Sequence, residues 1–115
     1  MAARIDIGFD GHDIERLADF WAAALGYVRS GAVAQYCWIT DPAGVGPKFV
    51  FQQVPEGKTA KNRLHIDIQA ADIEGLAAQL EAAGATRVRR VDEFGFFWVV
   101  MLDPEGNEFC IVPPE

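Results

Sequence analysis

The chain has 115 residues, of which half are hydrophobic and 23% are charged, with a formal net charge of −7. This length suits one domain with a sizeable buried core, and the composition is typical of a globular protein. The acidic balance disfavours nucleic acid and anionic membranes as partners, because phosphate binding relies on clustered Lys and Arg. The sequence begins without the apolar core of a signal peptide, and no apolar run approaches membrane-spanning length. We therefore expect a cytoplasmic protein.

The two cysteines, Cys37 and Cys110, are far apart and form no Cys-x-x-Cys motif. Disulfides are rare in the reducing cytosol, so we expect both thiols to be free.

The first half of the chain opens with residues 4–9, in which apolar and polar side chains alternate. A period of two predicts a strand with one buried face. Asp13 is a good N-cap for a helix that follows, and Gly26 is a good terminator. Turn-forming residues then separate three further strands. These strands are predicted over residues 27–32, 35–40 and 48–54.

The second half repeats this pattern. When Asp13 is laid over Asp72, residues 5–24 align with residues 64–83. The residues identical to their counterparts are Ile7, Asp13, Ile14, Glu15, Leu17, Ala18, Ala23 and Ala24. A second helix, ended by Gly84, is followed by strands predicted over residues 86–91, 94–102 and 108–112. Self-similarity of this kind predicts two copies of one supersecondary unit.

The predicted fold is therefore α+β, with two β-α-β-β-β repeats in a single domain over residues 1–115. The repeats span about residues 3–57 and 62–115, and the polar segment 55–62 joins them. We expect them to form a curled, partly closed mixed sheet with the helices outside and a ligand cleft between the repeats.

Strand parity divides the first strand of each repeat into two rows. The apolar rows, predicted to pack beneath the helices, are Ile5, Ile7 and Phe9 with Leu64, Ile66 and Ile68. The opposite rows are Asp6 and Gly8 with His65, Asp67 and Gln69. Parity leaves open whether these opposite rows face a concave interior or water.

Three segments resemble the vicinal-oxygen-chelate superfamily, which includes glyoxalases, bleomycin-resistance proteins and extradiol dioxygenases. They are the helix end at residues 20–26, the strand at 63–68 and the closing Asp-Pro-Glu-Gly-Asn-Glu-Phe at 103–109. More narrowly, the chain resembles the small glyoxalase-like domains common in actinobacteria. The resemblance covers essentially the whole chain.

The resemblance implies a divalent metal held by side chains from the first and last strands of each repeat. Carried over by position, the ligands are Asp6, Gln52, His65 and Cys110, with Val50 as the alternative to Gln52 after a two-residue slip. The family's glutamate position is occupied by Cys110. Carboxylate, imidazole and thiolate suit Zn²⁺ or another borderline metal, but an amide is a poor ligand. We therefore expect no cofactor, with a divalent metal as the alternative.

His65 is the residue with the strongest potential for chemistry. Asp67 lies two residues further on the same strand face, where its carboxylate would fix the imidazole tautomer. The alternative is a strand histidine that only pairs with its neighbours. Glu108 shares a strand face with Cys110 by alternation and is an alternative acid or ligand.

Aromatic residues form matching rows in the two repeats. Tyr36 and Trp38 share one face of their strand, and Phe94, Phe96 and Trp98 share one face of its counterpart. These rows are predicted to line an apolar ligand pocket. The alternative for each of them is an ordinary place in the core.

Three functions follow. The favoured one is metal-independent binding of a small organic molecule, as in the resistance proteins of the superfamily. The second is a metal-dependent lyase, isomerase or dioxygenase, and the third is a scaffold without ligand. The resemblance also raises a homodimer as a further expectation.

Overall fold

A computed structural model describes residues 2–115, which form two compact units that divide after Gly57. In the first unit the elements are β1 (Asp6–Gly11), α1 (Ile14–Leu25), β2 (Val28–Val33), β3 (Tyr36–Thr40) and β4 (Lys48–Gln53). In the second they are β5 (Ile66–Gln69), α2 (Ile73–Ala82), β6 (Thr86–Glu93), β7 (Phe96–Leu102) and β8 (Glu108–Val112). Neither helix is long and apolar enough to cross a membrane.

Each unit has the predicted β-α-β-β-β topology, and the α+β fold class is confirmed. The strands form one four-stranded sheet per unit, in the orders β1-β4-β3-β2 and β5-β8-β7-β6. The first and last strands of each unit are parallel neighbours, whereas the other pairs are antiparallel. The end of each repeat is therefore placed beside its beginning.

The helix starts follow the predicted caps. Asp13 accepts a hydrogen bond from the backbone N–H of Arg16 at 3.2 Å, and Asp72 accepts one from that of Gly75 at 2.9 Å. These bonds satisfy backbone donors that have no partner inside the helix. At the other end of α1, Gly26 adopts a left-handed φ of 70°, which a residue without a Cβ adopts without strain.

In the first unit, α1 packs on one face of the sheet through Trp21. The Trp21 ring is 1% exposed and lies 5.3 Å from the ring of Phe9. The prediction that Ile5 and Leu64 also pack beneath the helices is wrong, because they are 63% and 74% exposed. Both residues precede their strands, which begin at Asp6 and Ile66.

In the second unit, α2 covers the face that carries the alternate residues of β7 and β8. The fully buried side chains of these two strands are Val99, Met101, Phe109 and Ile111. Strand alternation then directs Trp98, Val100, Glu108, Cys110 and Val112 to the opposite side. We call this side, opposite α2, the distal face.

The β6–β7 turn departs from the sequence-based assignment of a strand over residues 94–102. Phe94 and Gly95 have φ values of 55° and 78°, so they form the turn, and β7 begins at Phe96. A positive φ strains a residue that carries a bulky side chain.

Replacing Phe94 with asparagine is expected to raise the free energy of unfolding by about 1 kcal/mol, because asparagine tolerates the left-handed region. The phenyl ring is 90% exposed, so little burial is lost. Phe94→Ala is the control, since alanine keeps the strain, and urea denaturation measures all three proteins. A Phe94→Asn protein no more stable than Phe94→Ala would contradict this prediction.

Candidate functional site

The distal face of the second sheet carries a cavity of about 420 Å³. It is lined by Lys61, His65, Asp67, Arg89, Trp98, Val100, Glu108, Cys110 and Val112. All of these residues belong to the second unit. The volume is that of a site for a small organic ligand.

The strand register places four lining residues in one row across the sheet. Asp67 on β5 pairs with Cys110 on β8, Cys110 pairs with Val100 on β7, and Val100 pairs with Arg89 on β6. Three strand spacings separate the two ends of this row, or about 14 Å between Cα atoms. The row therefore runs from a carboxylate to a guanidinium across an apolar middle.

His65 and Asp67 form the predicted pair. Nδ1 of His65 lies 2.8 Å from Oδ1 of Asp67. In the neutral imidazole this contact places the proton on Nδ1, so that Nε2 is left as a hydrogen-bond acceptor or metal ligand. The pair therefore presents one oriented ring nitrogen and one carboxylate.

Lys61 and Glu108 form a second pair at the edge of the cavity. Nζ of Lys61 lies 2.7 Å from Oε2 of Glu108, and the backbone N–H of Asn62 donates to Oε1 at 3.1 Å. The hydrogen bond from Lys61, followed by that from Asn62, holds the pKa of Glu108 below its usual value. Glu108 is thus an ionised structural group and a poor candidate for a general acid.

Cys110 lies at the centre of the row. Burial, followed by the nearby Asp67 carboxylate, raises the pKa of the Cys110 thiol. A thiol that keeps its proton is a weak nucleophile. Both cysteines are free, as expected, and Cys37 is buried on the helix side, where its sulfur contacts the carbonyl of Ile14.

Arg89 lines the cavity, although regular strand alternation alone would place its side chain on the opposite face of the sheet. Arg87, two residues earlier, bonds to Glu74 on α2, and regular alternation would put Arg89 on that same side. A register shift between Arg87 and Arg89 turns Arg89 to the distal face. A sequence signal did exist, because the corresponding position in β2 is Gly31, and glycine inside a strand often marks a bulge.

On the first sheet, the register shows how the other predicted ligands lie. Asp6 pairs with Lys48 and their charged groups are 3.7 Å apart, whereas Gln52 pairs with Asp10. Four residues along β1 separate the two pairs, or about 13 Å. Gly8 and Asp67 are equivalent positions of the two repeats. Val50 pairs with Gly8 and Cys110 pairs with Asp67, so Val50 is the counterpart of Cys110. Metal binding by Asp6 or Gln52 remains a prediction.

The predicted aromatic rows differ in their surroundings. Trp98 lines the cavity, whereas Phe96, two residues earlier, is 62% exposed and lies outside the lining. Tyr36 and Trp38 lie on β3 of the first sheet, on the face that also carries Gln52. Of the predicted residues, those brought together around the cavity are His65, Asp67, Trp98 and Cys110, with Glu108, the alternative acid or ligand.

The implied metal can be tested against the donors present. Donor atoms of His65, Asp67 and Cys110 all lie within 4.8 Å of one another. Imidazole, carboxylate and thiolate suit Zn²⁺, although Cys110 would have to lose its proton to bind. Hard ions such as Mg²⁺ prefer oxygen ligands, and this group offers one carboxylate. The donors therefore fit a borderline ion and do not fit a hard one.

The solved structures similar to this chain include proteins that bind small molecules. A glyoxalase/bleomycin resistance protein/dioxygenase family enzyme from Burkholderia phytofirmans is 20% identical, with a TM-score of 0.72 and coverage of 93% of this chain and 97% of that one. The fosfomycin resistance protein FosX from Listeria monocytogenes, solved with Mn(II) and 1S,2S-dihydroxypropylphosphonic acid, is 10% identical, with a TM-score of 0.81 and coverage of 100% and 93%. The bleomycin-binding protein from Streptomyces verticillus, solved with copper(II)-bleomycin, is 14% identical, with a TM-score of 0.67 and coverage of 100% and 98%. At these identities the likeness shows the fold alone.

No curated protein matches the chain. The model of the glyoxalase-like domain matches residues 6–112, which is nearly the whole chain. The resemblance predicted from the sequence motifs is confirmed, and the chain belongs to the glyoxalase-like domain family.

Proposed function

We propose that this protein binds a small organic molecule, without a metal, in the cavity on the distal face of the second sheet. The observation that carries the proposal is the combination of an oriented His65–Asp67 pair with an apolar wall in one cavity of about 420 Å³. Pockets for small ligands combine a mainly apolar lining with a few placed polar groups.

The lining supplies both kinds of contact. Trp98, Val100 and Val112 offer apolar surface, and an indole gains further stabilisation by stacking on an aromatic ligand. Nε2 of His65 accepts a hydrogen bond from a ligand hydroxyl when Nδ1 donates to Asp67. The raised pKa of the Cys110 thiol supports a binding role over a nucleophilic one, because a nucleophile would need the thiolate.

The named ligands of similar structures support the ligand class. One is a phosphonic acid bound with Mn(II), and the other is copper(II)-bleomycin. Both proteins thus hold a small molecule, and we extend that class to this chain.

The test is calorimetric titration with a panel of small aromatic compounds. Trp98→Ala is expected to weaken the binding of a compound from the panel about tenfold, because stacking and burial together contribute more than 1 kcal/mol. Phe96→Ala, on the same strand but outside the lining, is the matched control and should leave affinity unchanged. Absence of binding to the wild-type protein, or equal affinity for the Trp98→Ala protein, would refute the proposal.

A metal-dependent lyase, isomerase or dioxygenase is the second candidate. The specific observation in its favour is that donor atoms of His65, Asp67 and Cys110 lie within 4.8 Å of one another. A bound ion would polarise an oxygen of the substrate. Elemental analysis of protein purified without chelator distinguishes the two functions. Stoichiometric metal that disappears in His65→Ala would favour the enzyme.

A further inference from the structure

Arg89 is a cavity cation that forms no ion pair with any residue from 2 to 115. Lys61, also in the lining, is bound to Glu108 at 2.7 Å. The other two arginines of β6 are also in ion pairs: Arg87 pairs with Glu74, and Arg90 pairs with Asp92. The positive charge of Arg89 is therefore available to a ligand.

The backbone is bent so that Arg89 reaches the cavity. The register shift between Arg87 and Arg89 places one side chain toward α2 and the other on the distal face. Bulges often re-aim a side chain next to a functional site. The position of Arg89 thus follows from a defined feature of β6.

The first unit has the same bulge without the cation. A register shift separates Arg29 from Gly31, and Arg29 bonds to Asp19 on α1, as Arg87 bonds to Glu74 on α2. Gly31 is the counterpart of Arg89, and a Cβ added there would clash with the indole of Trp38. The bulge itself therefore does not require an arginine. At this position the first unit has Gly31, and the second unit has the positively charged Arg89.

We propose that the ligand is an elongated, largely apolar molecule whose anionic group, such as a carboxylate, binds Arg89. A hydroxyl at its other end donates to the His65–Asp67 pair, and its middle lies over Cys110 and Val100. This inference rests on the proposed function and names the class of ligand. A guanidinium binds a carboxylate through two parallel hydrogen bonds, so the contact is both charged and directional.

The net charge of the whole protein opposes the binding of an anion. With a net charge of −7, the chain repels anions at long range, so preference for an anionic ligand has to come from a local group. Salt screens the long-range repulsion more than the direct contact. Selectivity for the anion should therefore persist at physiological salt.

The test compares two ligands by calorimetric titration. One is a hydroxynaphthoate with its hydroxyl and carboxylate at opposite ends of the ring system, and the other is the corresponding neutral hydroxynaphthamide. The wild-type protein is expected to bind the carboxylate about tenfold more tightly, the effect of one charge-assisted contact. Arg89→Gln should abolish this preference while it retains affinity for the amide.

Arg90→Gln is the matched control, because it removes the same charge from the next residue on the strand, where Arg90 is paired with Asp92. It should keep the tenfold preference. Equal affinity of the wild-type protein for both ligands, or a preference that survives in Arg89→Gln, would overturn this inference alone. Failure of both ligands to bind while other compounds of the panel bind would also overturn this inference alone, and absence of binding by the whole panel would overturn it together with the proposed function.

Discussion

Replacing Trp21 with alanine is expected to lower the free energy of unfolding by about 4 kcal/mol, the loss typical of deleting a buried aromatic side chain. Trp21 is 1% exposed and joins α1 to the sheet through contacts with the rings of Phe9 and Phe49 at 5.3 and 6.0 Å. The cavity that alanine would leave is lined by large rings, which cannot collapse into it without leaving their own contacts.

Phe94→Ala is a control for this prediction, because it removes an aromatic ring that is 90% exposed. Its loss should stay below about 1 kcal/mol, since little buried area disappears. Chemical denaturation followed by circular dichroism measures both proteins. Similar losses for Trp21→Ala and Phe94→Ala would show that Trp21 is not a central core residue.

Replacing Asp103 with alanine is expected to cost about 3 kcal/mol, because it removes a buried carboxylate and leaves part-buried backbone donors without partners. Asp103 is 3% exposed, and its Oδ1 accepts hydrogen bonds from the backbone N–H groups of Glu105 and Asn107, each at 2.9 Å. These bonds close the turn that leads into β8, the strand that carries Cys110 and Glu108. Asp103→Asn keeps one acceptor oxygen and should lose less stability.

Asp41 is the counterpart of Asp103 in the first unit and offers a matched comparison. It accepts hydrogen bonds from the backbone N–H groups of Ala43, Val45 and Gly46, and those of Gly46 and Ala43 hold its pKa below the ordinary value. Water can replace most of these bonds, so Asp41→Ala should destabilise the protein less than Asp103→Ala. Thermal and denaturant unfolding measure the stability of both variants. A larger loss for Asp41→Ala than for Asp103→Ala would contradict the conclusion that the burial of Asp103 makes its hydrogen bonds more important.

Much of the fold could be predicted because local signals and the internal repeat agree. Asp13 and Gly26 mark the ends of α1, and Asp72 repeats the same cap in the second half. Alternation also placed Tyr36 and Trp38 on one face of β3, and Trp98 and Cys110 at one cavity, but it extended the row of β7 to Phe94, which lies in a turn. It failed where a strand begins, because the hydrophobicity of Ile5 and Leu64 does not reveal that the strands start only at Asp6 and Ile66.

The site could be predicted only where it depends on short-range parity. The His65–Asp67 contact is expected from the alternation of residues two apart. It forms at 2.8 Å although His65 lies just before β5, which begins at Ile66. The cavity position of Arg89 depends on a bulge, which reverses parity and leaves little trace in a single repeat. The choice between Gln52 and Val50 depends on the register between distant strands, which the sequence of one chain does not fix.

The central claim is that a ligand binds on the distal face of the second sheet. Amide nitrogen–proton correlation spectra of the wild-type protein, recorded during titration with the hydroxynaphthoate, test it most directly. The predicted result is that the largest shift changes fall on His65, Asp67, Trp98 and Cys110, with smaller changes on α2. Shift changes concentrated on α2 or in the first unit, or none at saturating ligand, would contradict the account.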